Sequence, residues 1–288
     1  MKRKSNLVYQ THDSPQDTLS KKPKHHYLVT FLLEFLDWFF FNMPPGPKIV
    51  KVSFVVNSQK VLMPIYLIFL IKYYENYSDQ MILYSIMHGS YGIFWYMKHV
   101  FFPDKFSDFK FTITCAITTW MILLGPYMVP AWLIASRNTM EIVDKKWLYS
   151  WLLVYIFGVV LTLCSDAQKN ITLQFIQEHN LYKGKQFLIT EGFFKHCRNP
   201  NFLGEMMMYF SFAAVCNHWV AYSIVIYSWL TILAARIFQK EISLMSKPGW
   251  EQYAQQSWLL IPKINGRTLD SIIFYSILGF SIYILVGQ

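Results

Sequence analysis

The chain has 288 residues, of which 54% are hydrophobic, 18% aromatic and only 15% charged, whereas a soluble domain carries roughly 25% charged residues. Its net charge of +9 is spread over several polar segments and forms no single patch, so it describes membrane orientation and excludes nucleic acid as a partner. Cys115, Cys164, Cys197 and Cys216 lack the spacing of a zinc site or a disulfide framework, and no metal site is expected.

Residues 1–26 read as a basic, disordered tail without the apolar core that a signal peptide needs. The stretch 27–43 is short and holds Glu34 and Asp37, which suits an interfacial amphipathic helix as well as a span. Apolar runs near 58–75, 80–103, 109–135 and 147–165 each approach the roughly 20 residues that cross a bilayer. A hairpin follows near 202–236 and a last span near 268–287. The expected fold is therefore an all-α integral membrane bundle of about six or seven spans. Its N-terminal membrane helices occupy 27–165, a core containing the hairpin occupies 166–266, and an additional C-terminal helix occupies 267–288.

Two long polar segments, 166–201 and 237–266, flank the hairpin. Together with the tail and the 103–108 turn they hold most of the lysines and arginines, which assigns them to the cytosolic side. There they can meet beneath the bundle and form a pocket from helices and loops.

The octapeptide RNPNFLGE, Arg198 to Glu205, is unusual at the mouth of an apolar run. Asn199-Pro200 predicts a helix start, because Asn caps well and the missing N–H of Pro costs nothing at the first helical position. A helix from Pro200 puts Asn201, Glu205 and Met208 on one face, with Gly204 permitting close approach of a ligand or another backbone. Arg198, the free N–H groups and the helix dipole then converge on a point suited to an anion such as phosphate. The plainer alternative is that Asn199 only caps, Arg198 snorkels to lipid phosphates and Glu205 pairs with a neighbouring lysine. Glu205 nevertheless lies a turn inside an apolar helix, where ionisable groups mark function.

Upstream, His88, Tyr91 and Trp95 share a helix face by their spacing. His88 and Tyr91 are the candidate catalytic proton donors, with Trp95 as an apolar wall; the alternative makes His88 a core histidine and the aromatics interfacial. Glu75 and Tyr127 are weaker candidates.

The run GFFKHCRNPNFLGEMMMY, 192–209, resembles the C-terminal core of the steroid 5-alpha-reductases, sterol reductases and isoprenylcysteine carboxyl methyltransferases. The chain looks closest to the uncharacterised branch of this superfamily, which it also resembles at HGSYGIFWYMKHVFFPD (88–104), SDAQK (165–169) and KPGWEQY (247–253). The resemblance implies a cytosolic-side cofactor pocket with a lipophilic substrate drawn from the bilayer. It carries Asn201, Glu205, Arg236 and Tyr253 over as cofactor-binding residues. Glu241 stands where the methyltransferases have an acidic pair, with Lys240 in place of the other acid. The half that binds steroid in the 5-alpha-reductases finds no match here.

Charge bears on the choice of cofactor. Lys183, Lys185, Lys195, Arg198, Arg236 and Lys240 suit the phosphates of NADPH better than the cationic S-adenosylmethionine, though lipid headgroups would satisfy the same lysines. No GxGxxG follows a strand, so a Rossmann site is not on offer. The expected activity is NADPH-dependent reduction of a carbon–carbon double bond in a sterol- or lipid-like molecule. The alternatives are an S-adenosylmethionine-dependent lipid or prenylcysteine methyltransferase and a non-catalytic membrane complex subunit. The endoplasmic reticulum is the expected location, with a mitochondrial membrane as the alternative.

Overall fold

The computed structural model describes residues 45–103, 105–140, 142, 144–181 and 187–286, together with positions 31, 34, 35, 38 and 39. The basic tail, most of 27–43, and Lys183 and Lys185 lie outside the described residues.

Helix α1, Val52–Tyr74, ends where Glu75 takes a left-handed conformation. Helix α2, Asp79–Phe101, starts at Ser78, whose side chain accepts from the Met81 N–H, and closes with Lys98 and His99 in its last turn, where cations complement the helix dipole. Helix α3, Ile113–Ala135, is capped by the Thr112 hydroxyl. A π-helical turn, Trp120–Leu124, and a 3₁₀ turn, Gly125–Met128, interrupt it. Pro126 and Pro130 supply the reason, since each removes a backbone donor from the ladder. Short strands β1, Val50–Lys51, and β2, Lys110–Phe111, pair antiparallel and tie the starts of α1 and α3 together.

Helix α4, Lys145–Glu178, has 34 residues and is about 51 Å long at 1.5 Å per residue. That exceeds the roughly 30 Å hydrocarbon core, so its polar end projects beyond the membrane. The expected span ended near 165 and left 166–201 as a polar segment. The helix instead runs on to Glu178, because leaving lipid does not remove helix-forming sequence.

Helix α5, Pro200–Cys216, starts at the expected Asn199-Pro200 pair and ends at left-handed Asn217. Helix α6, Trp219–Met245, begins at His218, whose ring accepts from the Val220 N–H. It contains a second π turn, Trp229–Leu233, and reaches well past the expected hairpin end near 236. A short helix α7, Trp250–Gln256, and a final apolar helix α8, Thr268–Val286, complete the chain.

Among the described residues four helices, α1, α3, α4 and α6, are long and apolar enough to cross a membrane. Helix α2 has 23 residues but buries Gln80, His88 and Lys98, and α5 has 17 residues; both pack among the four. The fold is an all-α membrane bundle. Large apolar side chains such as Ile65, Phe69 and Leu230 face outward, as lipid requires.

Helices α4 and α5 make the most intimate crossing. A Cβ on Gly204 would lie 2.5 Å from the Gly158 carbonyl oxygen and 2.4 Å from Thr162 Oγ1. The close approach expected at Gly204 is therefore that of a neighbouring helix, and Thr162 Oγ1 reinforces it by donating to the Asn201 carbonyl at 3.2 Å.

Candidate functional site

The two polar segments do meet beneath the bundle. Residues 194–199 are stitched to 253–263 almost atom by atom. Arg198 N–H donates to the Trp258 carbonyl at 2.9 Å, and Lys263 N–H to that of His196 at 2.8 Å. Arg198 Nη1 donates to the Ser257 carbonyl at 2.6 Å, Asn199 Nδ2 to that of Leu259 at 3.0 Å, and Cys197 Sγ to that of Leu260 at 2.9 Å. Tyr253 donates its hydroxyl proton to the Phe194 carbonyl at 2.6 Å.

Helix α6 closes this platform from above. Its Glu241 Oε1 lies 2.8 Å from Arg198 Nε, with both side chains largely buried, and the Arg198 guanidinium sits 5.4 Å from the Trp250 ring. Burial pushes the Cys197 thiol up to about 11 and raises the Tyr253 phenol as well, so both remain protonated hydrogen-bond donors at neutral pH.

Asn199 precedes α5 as expected, but its side chain makes no capping bond. The fully buried amide donates to Leu259 instead, which satisfies that carbonyl and leaves Asn199 Oδ1 without a hydrogen-bond partner. Arg198 is likewise an internal ion-pair partner here, and not an open anion ligand at the helix start.

A second cluster borders the platform. Lys240 Nζ donates to Asn201 Oδ1 at 3.2 Å and lies 5.3 Å from both the Phe194 and Phe202 rings. Lys98 and Asp166 form a buried ion pair between α2 and α4. Lys169 acts electrostatically on both Lys240 and Lys247. Burial, followed by the charge of Lys169, holds the Lys247 amine below its ordinary value of 10.5. Three lysines thus act on one another beside Asp166, which offsets them in part at Lys240.

Between α1, α2, α3, α5 and α6 lies a cavity of about 240 Å³. Both π turns contribute to its wall, through Leu123 and Leu124 of α3 and Trp229, Ile232 and Leu233 of α6, in keeping with the association of π turns with functional sites. The packing of α3 against α6 concentrates in their far halves, Gly125–Ala135 against Trp219–Ser228, so the two π turns stand on either side of the cavity. Its lining is mostly apolar, with Lys60, Tyr127, Glu205 and Tyr209 inside and Arg236 and Gln239 toward the platform.

The inner polar groups touch one another. Tyr91 and Tyr209 hydroxyls are 2.8 Å apart, and the Tyr127 ring stacks on Tyr209 at 4.9 Å. Lys60 Nζ sits over the rings of Tyr91 at 4.3 Å, Trp95 at 5.6 Å and Tyr209 at 6.0 Å, and Glu205 attracts it electrostatically.

The sequence-derived candidates divide accordingly. Glu205 and Arg236 line the cavity, and the Arg236 guanidinium lies 5.5 Å from the Phe202 ring. Asn201 and Lys240 form the border. Arg198, Glu241 and Tyr253 belong to the platform. Tyr91 stands behind the cavity wall, against Lys60, Trp95 and Tyr209.

His88 is 1% exposed, stacks on Phe212 at 4.4 Å and shares a 2.9 Å hydrogen bond with Tyr84; it is not among the cavity-lining residues. Sequence reasoning passed over Lys60, Tyr209, Lys169 and Lys247. For Lys60 a signal existed, a lysine inside an apolar run; the other three carry none that their neighbours in sequence reveal.

No curated protein matches the chain. A family model described as "Protein of unknown function (DUF1295)" matches residues 95–258, the part that contains α3 to α7, most of the platform and most of the cavity wall. With more than half of its length matched, the chain belongs to that family, whose match stops before the Leu259, Leu260 and Lys263 partners in the platform's bonding.

Proposed function

We propose that the protein is a membrane reductase that uses NADPH to saturate a carbon–carbon double bond in a lipophilic substrate. One observation carries the reading: three crowded lysines, Lys169, Lys240 and Lys247, stand beside a largely apolar cavity flanked by π turns. Like charges brought together at a partly buried place gain most from an anion. The residues therefore fit a phosphate-bearing cofactor, and the same crowding tells against a sulfonium such as S-adenosylmethionine. The family's grouping with steroid 5-alpha-reductase-like proteins supports the same direction.

When bound, NADPH supplies the hydride. Lys169, Lys240 and Lys247 would hold its phosphates, with Arg236 at the cavity rim and Asn201 and Glu205 where the polar border meets the cavity. Tyr209 lines the cavity and would give a proton to the substrate, to be recovered from solvent after product leaves, and the Tyr91 hydroxyl, 2.8 Å away, would hold it in place. His88 keeps the Tyr91 face of α2 packed. The substrate would come from the bilayer between the two π turns. We place the protein in the endoplasmic reticulum membrane, since Asp13 and Asp17 interrupt the tail in a way that a mitochondrial presequence avoids.

Equilibrium binding of NADPH and S-adenosylmethionine to the purified protein tests the reading. Saturable binding of NADPH, with none of S-adenosylmethionine, is the expected result. The reverse preference would move the protein to the methyltransferases, and binding of neither would make it a non-catalytic subunit.

A further inference from the structure

Reduction of a double bond leaves one group of the cavity wall without a chemical role. The hydride comes from the cofactor and the proton from Tyr209, yet the wall also carries Glu205, the single acid among its described residues. Glu205 is 7% exposed and lies four residues before Tyr209 on α5. That spacing puts both on one face of the helix, about 6 Å apart along its axis, and both line the same space. Lys60 carries the opposite charge and interacts electrostatically with Glu205, which favours the ionised form of the acid. A carboxylate so paired keeps lone pairs for a second partner.

The phenol is supported as a donor. The Tyr209 and Tyr91 hydroxyls are 2.8 Å apart, and when Tyr91 donates, the Tyr209 proton is left for another acceptor. Lys60 Nζ lies 4.3 Å from the Tyr91 ring centre and 6.0 Å from that of Tyr209. Positive charge beside the pair favours negative charge developing on an oxygen bonded to Tyr209. A carboxylate base and a supported phenol donor in an apolar lining together suit proton abstraction beside a carbonyl.

We infer that the cavity carries out a second reaction, the shift of a double bond from the β,γ to the α,β position of a lipophilic ketone, with Glu205 moving the proton and Tyr209 holding the ketone oxygen. Glu205 takes a proton from the α carbon. The electrons of that C–H bond form a double bond to the carbonyl carbon, and the carbonyl π pair moves onto oxygen as a dienolate, bonded to the Tyr209 hydroxyl. Glu205 then gives the proton to the γ carbon, which accepts it with the old β,γ pair. The carbonyl re-forms and the new double bond lies between the α and β carbons. Nothing is oxidised or reduced, and substrate and product are isomers.

The product is a conjugated enone, whose β carbon accepts hydride; the isolated double bond of the substrate does not. The inference therefore deepens the reductase reading by supplying its acceptor. It rests on the cavity as the site of the lipid, while the shift itself needs no nucleotide.

The test uses the full-length protein in a non-ionic detergent without nucleotide, and a long-chain methyl ketone with a β,γ double bond as probe. Ultraviolet absorbance follows the conjugated product, and thermal unfolding is recorded for every variant. The wild type should form the enone well above the rate in protein-free micelles. Glu205→Gln should slow it roughly 10²–10⁴-fold and Tyr209→Phe roughly 10²–10³-fold, while Glu205→Asp should retain part of the rate. Probe deuterated at the α carbon should carry part of its label to the γ carbon, since one carboxylate moves the same proton.

A wild-type rate no higher than that of the micelles overturns the inference whether or not any variant folds. Complete loss of the label to solvent overturns the one-base step, and an equally fast, folded Glu205→Gln removes Glu205 from it. If Glu205→Gln loses NADPH and keeps the isomerisation, Glu205 belongs to the cofactor. Isomerisation by a protein that never binds NADPH would sink the reductase reading alone, and NADPH binding without isomerisation would sink this inference alone.

Discussion

In the platform, Arg198 ends on Glu241 and the Ser257 carbonyl, Asn199 on Leu259 and Tyr253 on Phe194. In the cavity beside it, the Lys60 ammonium lies over ring faces within electrostatic reach of Glu205, and Lys169 acts on Lys247 at the border. Both regions are rich in buried polar groups at the same end of the bundle. They differ in what remains to be satisfied. The platform clamps distant segments together, and it leaves acceptors over: Asn199 Oδ1 and Glu241 Oε2 are buried without a hydrogen-bond partner. In the cavity wall the buried atoms without a hydrogen-bond partner are Asn57 Oδ1 and the Trp229 indole N–H.

The contrast can be broken most sharply at Arg198. Replacing it by Met leaves Glu241 buried without its cation, which should cost about 3–5 kcal/mol in denaturant unfolding of the detergent-solubilised protein. A cost under about 1 kcal/mol would show that the platform is not a clamp, and Arg198 would return to the ligand-binding set. Gly204→Ala should cost about 1–3 kcal/mol, because the new methyl must displace the Gly158 carbonyl or Thr162; since this crossing supports both regions, stability and ligand affinity should fall together.

Lys247→Gln should have the smallest effect on the fold, within about 0.5 kcal/mol, while weakening NADPH about tenfold. It also carries a pH signature. In the free protein the Lys247 amine lies below 10.5, and a phosphate beside it would raise that value. Binding then takes up protons, so affinity should fall as pH rises from the lowered value toward the raised one. The slope should flatten in Lys247→Gln. Titration calorimetry in buffers of different ionisation enthalpy reads the proton uptake directly, and equal uptake by both proteins would remove Lys247 from the site.

Much of the fold was legible because lipid imposes a local rule. Apolar length marks α1, α3, α4 and α6, and the Asn199-Pro200 pair marks the start of α5. The meeting of 166–201 with 237–266 followed from the hairpin between them. Helix ends were less legible where a span leaves the membrane: α4 continues to Glu178 and α6 to Met245, since helical hydrogen bonding persists after hydropathy drops. The π turns were not legible at all. Two prolines signal trouble in α3, but the α6 turn at Trp229–Leu233 has none.

The chain by itself determined that it would be a helical membrane protein, that its two long polar segments would meet, and where α5 begins. These depend on composition and near neighbours, because every backbone group in lipid must be satisfied within its own helix. Tertiary structure alone decided what each polar side chain is for. Arg198 meets Glu241 from 43 positions away, Asn199 meets Leu259 from 60, and Tyr91 meets Tyr209 from 118, while Lys60 is placed under Tyr91 and Tyr209 by the crossing at Gly92. Satisfaction of a buried charge is a property of contacts between elements, and no periodicity within one element records it.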